Sequence, residues 1–351
     1  EKMKTQKPFR IDVHHHFVSP EYTHALADIG ITGAGGENFP VWSPEQTLAM
    51  MDRQRIAASL LSLSAPGVFF GERGLARDLA RQSNEFAARV VSDVPQRLGF
   101  FATLPLPDVD DALSELDYVY DTLHTDGVIL LSNYAGRYPG DLAFEPLFAE
   151  LNRRKAVVFL HPTAAIGANV PQGNDAGATL PGVPSSMLEF VFDTTRAVTS
   201  LLGSGTLERT PAVRYILAHA GGTVPYLALR IAIGALWAAG KITPGVSWGA
   251  EMDQQQFAQL AQVSAGVQSL QQLYYDTTFS YPSTVFPSLQ AFAEPSHLLF
   301  GSDYPWAGET IASLLLTGME SYQGLDPQAL ASLERGNALS LFPRLEVEAK
   351  E

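Results

Sequence analysis

Four histidines and one aspartate carry the chemistry that this 351-residue sequence offers most clearly. His14 and His16 flank His15 in Asp12-Val13-His14-His15-His16. On an extended strand alternate side chains share a face, so His14 and His16 are expected on one side and His15 on the other. His161 ends Val157-Val158-Phe159-Leu160, His219 ends Ile216-Leu217-Ala218, and Asp303 follows Leu299-Phe300-Gly301-Ser302. Each is the first ionisable group after an apolar run. Imidazole nitrogens and a carboxylate are donors that a borderline divalent ion prefers, and three histidines with Asp303 would leave room on the ion for water or substrate. The plainer alternative is five polar residues that satisfy backbone groups at separate strand ends. His24, His124 and His297 lack this setting and are read as surface or structural residues.

Something must bring those positions together. Eight short β-rich runs are expected at 9–14, 59–64, 98–104, 127–132, 157–161, 213–219, 273–277 and 297–302. Helical patterns lie between them at 75–91, 112–124, 145–154, 187–202, 224–239 and 283–293. Continuous apolar strands suit a parallel sheet covered on its outside. Eight such units predict a (β/α)8 TIM barrel, whose usual size of about 250 residues leaves roughly 100 for insertions. In a barrel all the strand-end groups open onto one C-terminal face, where barrel chemistry takes place. The surplus lies at 20–45, 163–184 and 240–266, and the first two are expected to cover that face. Helical residues after Asp326 should form a terminal cap. An open doubly wound sheet competes, but no glycine-rich phosphate loop follows any strand.

Composition narrows the partners. There are 23 basic and 37 acidic residues, for a net charge of −14, and no basic block stands out. Nucleic acid and anionic membranes are therefore poor partners. With no cysteine, disulfides, Fe–S clusters and thiolate chemistry are excluded. The stretch 224–239 contains Pro225 and Arg230 and is too short to span a bilayer. Glu1 to Lys7 is charged with no apolar segment behind it, so no secretory signal is expected and the compartment is read as cytoplasmic. The chain reads as one domain, 1–351.

The strand-end motifs occur in an order that resembles the amidohydrolase superfamily, in its aminocarboxymuconate-semialdehyde decarboxylase-like branch. The resemblance rests on Ile11 to His16, Met51-Asp52, Leu61 to Gly67, Leu104-Pro105, Leu160-His161-Pro162, Ala218 to Gly222, Gly301 to Pro305 and Gly336-Asn337-Ala338. Within that branch it is most similar to 6-methylsalicylate decarboxylase-type members. The resemblance implies that His14, His16, His161 and Asp303 hold one metal ion, Zn²⁺ first and Mn²⁺ second. It implies that His219 handles protons beside the metal, and that the chain forms a homodimer. No lysine stands in 127–134, so the two-metal arrangement bridged by a carboxylated lysine is not expected. The branch's arginine for a second substrate carboxylate has no counterpart in Gly35 to Trp42, which favours a less charged substrate.

Trp42, Phe69, Phe70, Phe279, Tyr281 and Trp306 are candidates to wall an aromatic ring, with packing as the alternative for each. Asn133 and Arg137 are further candidates for substrate contact. Glu189 and Asp193 begin a helix, where Asp193 serves either as a partner of a ligand histidine or as a structural carboxylate. The expected activity is a metal-dependent, non-oxidative decarboxylase of a hydroxylated aromatic or unsaturated carboxylic acid, with His219 or Asp303 relaying the proton. A metal-dependent hydrolase of a lactone or amide is the alternative, and no organic cofactor is implied.

Overall fold

The computed structural model describes residues 9–164, 177–243, 254–280 and 283–346. Eight strands form the frame: β1 Arg10–His16, β2 Ile56–Ser62, β3 Leu98–Thr103, β4 Gly127–Leu131, β5 Val157–His161, β6 Arg214–Leu217, β7 Tyr274–Asp276 and β8 Leu298–Leu299. They are parallel neighbours in chain order. The ring closes between the first and last. Val13 N donates to Phe300 O at 3.0 Å, Asp303 N to His14 O at 2.8 Å and His16 N to Tyr304 O at 2.7 Å. The fold is a (β/α)8 TIM barrel, as the strand count predicts.

Every strand except β7 gives a fully apolar residue to one inner cluster. It includes Ile11, Val13, Leu60, Phe101, Ile129, Phe159, Ile216 and Leu299, with Tyr274 of β7 packed against it. The terminal cap is real and closes one end of this cluster. Ala338, Phe342 and Leu345 join it from beyond the last strand, and the Phe342 ring meets Phe101 edge-on at 5.8 Å. Arg10, at the start of β1, is buried there against Glu334 at 2.7 Å. With the N-terminal end plugged, the strand-end histidines open at the other.

The first insertion is more ordered than its glycines and prolines suggest. Helices Pro20–Asp28 and Pro44–Arg53 both begin Ser-Pro-Glu, and the hydroxyls of Ser19 and Ser43 accept from Tyr22 N and Gln46 N. A serine N-cap followed by proline at the first helical position is a strong start signal. Between these helices a small hairpin pairs Gly33–Ala34 with Glu37–Asn38. Of the other two insertions, 165–176 and 244–253 lie outside the described residues, and helix Gln254–Gln271 occupies the end of the third. Strand ends are shorter than expected at 59–64, 213–219 and 297–302, because their polar last residues turn into the loops that carry the site. Among the described residues no helix is long and apolar enough to cross a membrane.

Candidate active site

The site begins with an irregularity in β1. Asp12 pairs with Ser59 and His15 with Leu61, so three steps along β1 match two along β2. That extra residue is a β-bulge, a device common beside active sites. Simple alternation would put Asp12 on the same face as His14. With the bulge, Ile11 and Val13 join the inner cluster, while His14 and His16 also reach the barrel mouth and Asp12 and His15 lie outside it. Asp12 secures the distortion. Its Oδ1 accepts from His14 N at 3.1 Å and Ser302 N at 3.0 Å, and its Oδ2 accepts from Ser302 Oγ at 2.6 Å. His15 Nδ1 is 2.9 Å from the same Oδ2, and its Nε2 faces Thr47. One buried carboxylate thus ties the first histidines to the segment that carries Asp303.

Five groups converge inside the mouth. His14 Nε2 is 3.0 Å from His16 Nε2 and 3.2 Å from Asp303 Oδ1, which is 3.1 Å from His16 Nε2. The His161 ring centroid lies 5.2 Å from that of His14 and 4.9 Å from that of His16. One donor atom each from His14, His161, His219 and Asp303 lie within 4.8 Å of one another. His16 falls outside that foursome, yet its Nε2 makes two of the shortest approaches in the cluster.

The outer nitrogens fix the tautomers. His14 Nδ1 lies 2.6 Å from Asp276 Oδ2, His16 Nδ1 2.9 Å from Ser62 Oγ, and His161 Nδ1 2.7 Å from Pro162 O. With each Nδ1 engaged outward, the Nε2 atoms of all three rings face inward toward Asp303. Donors around a cation at about 2.0–2.2 Å stand roughly 3.0–3.5 Å apart. The observed 3.0–3.2 Å spacings fit that. The donor set suits a divalent ion.

Charge follows the same pattern. Burial lowers the His14 pKa, but the Asp276 and Asp303 carboxylates outweigh it and push His14 up to about 10. Burial holds His16 below its ordinary value and His161 well below. Burial alone would raise Asp303; His14, together with hydrogen bonds from His14, His16 and His219, keeps it well below the carboxylate range. The cluster therefore holds His16 and His161 as neutral imidazoles beside an ionised Asp303, while His14 carries a proton that a bound cation would displace.

His219 is set apart from the other histidines. Its Nε2 is 3.4 Å from Asp303 Oδ2, while its Nδ1 is buried without a hydrogen-bond partner among the described residues. The backbone is left-handed at His219, Ala220, Gly221 and Gly222 alike, with φ of 54°, 56°, 72° and 63°. A Cβ on Gly221 would come within 2.6 Å of the Tyr275 ring, and one on Gly222 within 2.1 Å of Val191 O. The two glycines thus let this turn pack between β7 and the helix Glu189–Gly203. Asp303 is also left-handed, at φ 58°. Non-glycine residues adopt this region at a cost, and such residues gather at functional sites.

A cavity of about 300 Å³ opens above the cluster, with His161, His219 and Asp303 in its wall. That lies at the small end of the range for small-molecule sites, about 300–1,000 Å³. Phe190, Phe279 and Trp306 supply its aromatic surface, and no lysine or arginine lines it among the described residues. Of the eight candidate substrate contacts, Phe279 and Trp306 reach this cavity. Five others are placed elsewhere. Trp42 is buried in the outer core against Phe17 and Phe86, at 6.1 and 5.9 Å between centroids, and Phe69 packs on that core with Phe70. Asn133 donates to Asp193 Oδ2 at 2.7 Å and to Ala164 O at 2.9 Å. Arg137 pairs with Asp141 at the surface, its guanidinium over the Phe144 ring. These two hold the loop after β4. Tyr281 lies outside the described residues.

Asp193 takes the structural option. It accepts from Ser132 Oγ, Asn133 Nδ2 and Tyr138 Oη, not from a histidine. Glu189 bonds to Thr179 Oγ1. Among the remaining histidines, His24 and His124 are exposed and His297 stacks on Tyr274 at 4.0 Å. Three contributors escape the sequence reading: Asp276, Asp12 and Phe190. Asp276 ends its strand just as Asp303 follows its own, so the rule that singled out Asp303 would have found it.

The amidohydrolase family profile matches residues 11–344. The chain is 37% identical to decarboxylase macB of Penicillium terrestre, covering 97% of this chain and 96% of that one. It is 34% identical to the 6-methylsalicylic acid decarboxylase of Penicillium expansum, over 96% of this chain and 97% of that one. Among solved structures, a dihydroxybenzoic acid decarboxylase from Polaromonas, with bound manganese and the inhibitor 2-nitroresorcinol, superposes with a TM-score of 0.73. It is 20% identical, over 97% of this chain and 98% of that one, a likeness of fold. The chain belongs to the amidohydrolase family, in the branch of the aminocarboxymuconate-semialdehyde and 6-methylsalicylate decarboxylases.

Proposed function

We propose that the protein is a metal-dependent, non-oxidative decarboxylase of a hydroxylated aromatic carboxylic acid. The observation that carries this reading is the meeting, in one cavity, of the histidine–aspartate cluster with an aromatic wall of Phe190, Phe279 and Trp306. The decarboxylases it resembles along nearly their whole length support the same reaction type. His14, His16, His161 and Asp303 hold one divalent ion in this reading, Zn²⁺ ahead of Mn²⁺. When bound, such an ion supplies Lewis-acid stabilisation of negative charge on the substrate's oxygens.

The chain's own groups do the rest. Phe190, Phe279 and Trp306 flank a planar ring and keep water from it. His219 Nε2 gives its proton to the ring carbon that bears the carboxylate. The carbon–carbon bond to that carboxylate then breaks, CO₂ departs, and the bonding pair restores the aromatic ring. Solvent returns a proton to His219. The Asp303 carboxylate, 3.4 Å from His219 Nε2, holds the imidazole and its proton before transfer. No oxidant is consumed. The test is CO₂ release by the metal-loaded protein across a panel of hydroxybenzoates: release from at least one supports the reading, and release from none counts against it.

A homodimer belongs to the same reading. Tyr226, Leu229, Ile233 and Trp237 are exposed along one side of the helix Val224–Ala238, apolar surface that a second copy would cover. Sedimentation should give a dimer that Trp237→Glu weakens.

A further inference from the structure

We propose that Glu37 is a specificity residue of this active site, whose carboxylate rejects substrates that carry a second carboxylate. The inference rests on the decarboxylase reading and narrows its substrates to monocarboxylic acids. Glu37 and Ala34, from the two strands of the small hairpin, both line the cavity that contains His219 and Asp303.

The hairpin is held in place from both sides. Gly35 O accepts from Ser186 N at 3.2 Å. Gly35 itself is left-handed at φ 62°, and a Cβ there would stand 2.9 Å from the Ser186 side chain, so the turn lies tight against the segment before helix Glu189–Gly203. Two residues past Glu37, the Phe39 ring meets Trp306 at 6.0 Å and Tyr22 at 5.8 Å. Glu37 is thereby fixed at the cavity wall although its own side chain reaches solvent.

Charge decides what this placement does. Glu37 forms no ion pair among the described residues, and no lysine or arginine lines the cavity there. Burial and the Asp303 carboxylate both hold the Glu37 carboxyl above its usual range, so the two acids sense one another. The departing carboxylate of a substrate would be matched by the cation held among the histidines. A second one finds no counter-charge among the described residues and meets Glu37 instead. A like-charge contact across several ångströms of half-solvated protein disfavours binding by about tenfold. A ring hydroxyl, by contrast, can donate to Glu37.

The test is titration calorimetry of the metal-loaded protein with salicylate and with 4-hydroxyisophthalate, for wild type, Glu37→Gln and Glu37→Ala. Wild type should bind the monocarboxylate about tenfold more tightly, and both variants should erase most of that ratio. The ratio of kcat/KM for CO₂ release should move with it. An affinity ratio that both variants leave unchanged, or a wild type without the preference, overturns the inference. Unchanged selectivity beside active CO₂ release sinks this inference alone. Shifted selectivity with no CO₂ from any acid of the hydroxybenzoate panel upholds Glu37 and sinks the decarboxylase reading.

Discussion

His14 Nδ1 and Asp276 Oδ2 face one another at 2.6 Å with both side chains fully buried. The other oxygen of Asp276 accepts from Thr278 N at 3.0 Å and Ala220 N at 3.4 Å, next to His219. One carboxylate thus orients the His14 ring, makes its Nε2 more basic and braces the turn that carries His219. Asp276→Asn keeps the shape and removes the charge. Metal affinity, read by competition with a chelator, should fall about 10–100-fold, the usual effect of losing such a partner. Affinity equal to wild type would mean that Asp276 serves packing alone.

The ligand assignment separates three neighbouring histidines. His14→Ala and His161→Ala should purify with well under one ion per chain. His15→Ala should keep close to one, because His15 bonds to Asp12 and Thr47 outside the mouth. Elemental analysis reads the difference. Two ions per wild-type chain, or full retention in both ligand variants, would overturn the single-ion site.

His219 should behave as a proton donor and not as an anchor for the ion. His219→Asn is expected to retain about one ion per chain while kcat falls by about 10²–10⁴-fold, the range for general acid–base catalysis. Near-normal turnover would leave its left-handed backbone, and an Nδ1 without a partner among the described residues, as structural features only.

The barrel was legible because each strand is a short apolar run and each run ends in a polar group. The same pattern exposed His14, His16, His161, His219 and Asp303. What stayed hidden was whatever depends on distance across the fold. Trp42 and Phe279 look alike in sequence, yet one fills the outer core and the other the cavity, and only the path of the first insertion separates them. Asn133 and Arg137 follow a strand as ligands often do, but Asp193 and Asp141 were available to bind them. The β1 bulge could not be read from alternation, since it reverses the alternation itself. Glu37 was visible only as a charge in a glycine-rich insertion until the hairpin placed it at the mouth.

In the proposed reaction one solvent proton replaces CO₂ on an aromatic ring. Incubation of the metal-loaded protein with salicylate-type acids in D₂O tests it directly, with the product read by NMR and mass spectrometry. One deuterium is expected at the carbon that bore the carboxylate, in amounts that match the CO₂ released. The decarboxylase reading is contradicted if no aromatic acid loses CO₂ while a lactone or amide is opened with uptake of ¹⁸O from labelled water.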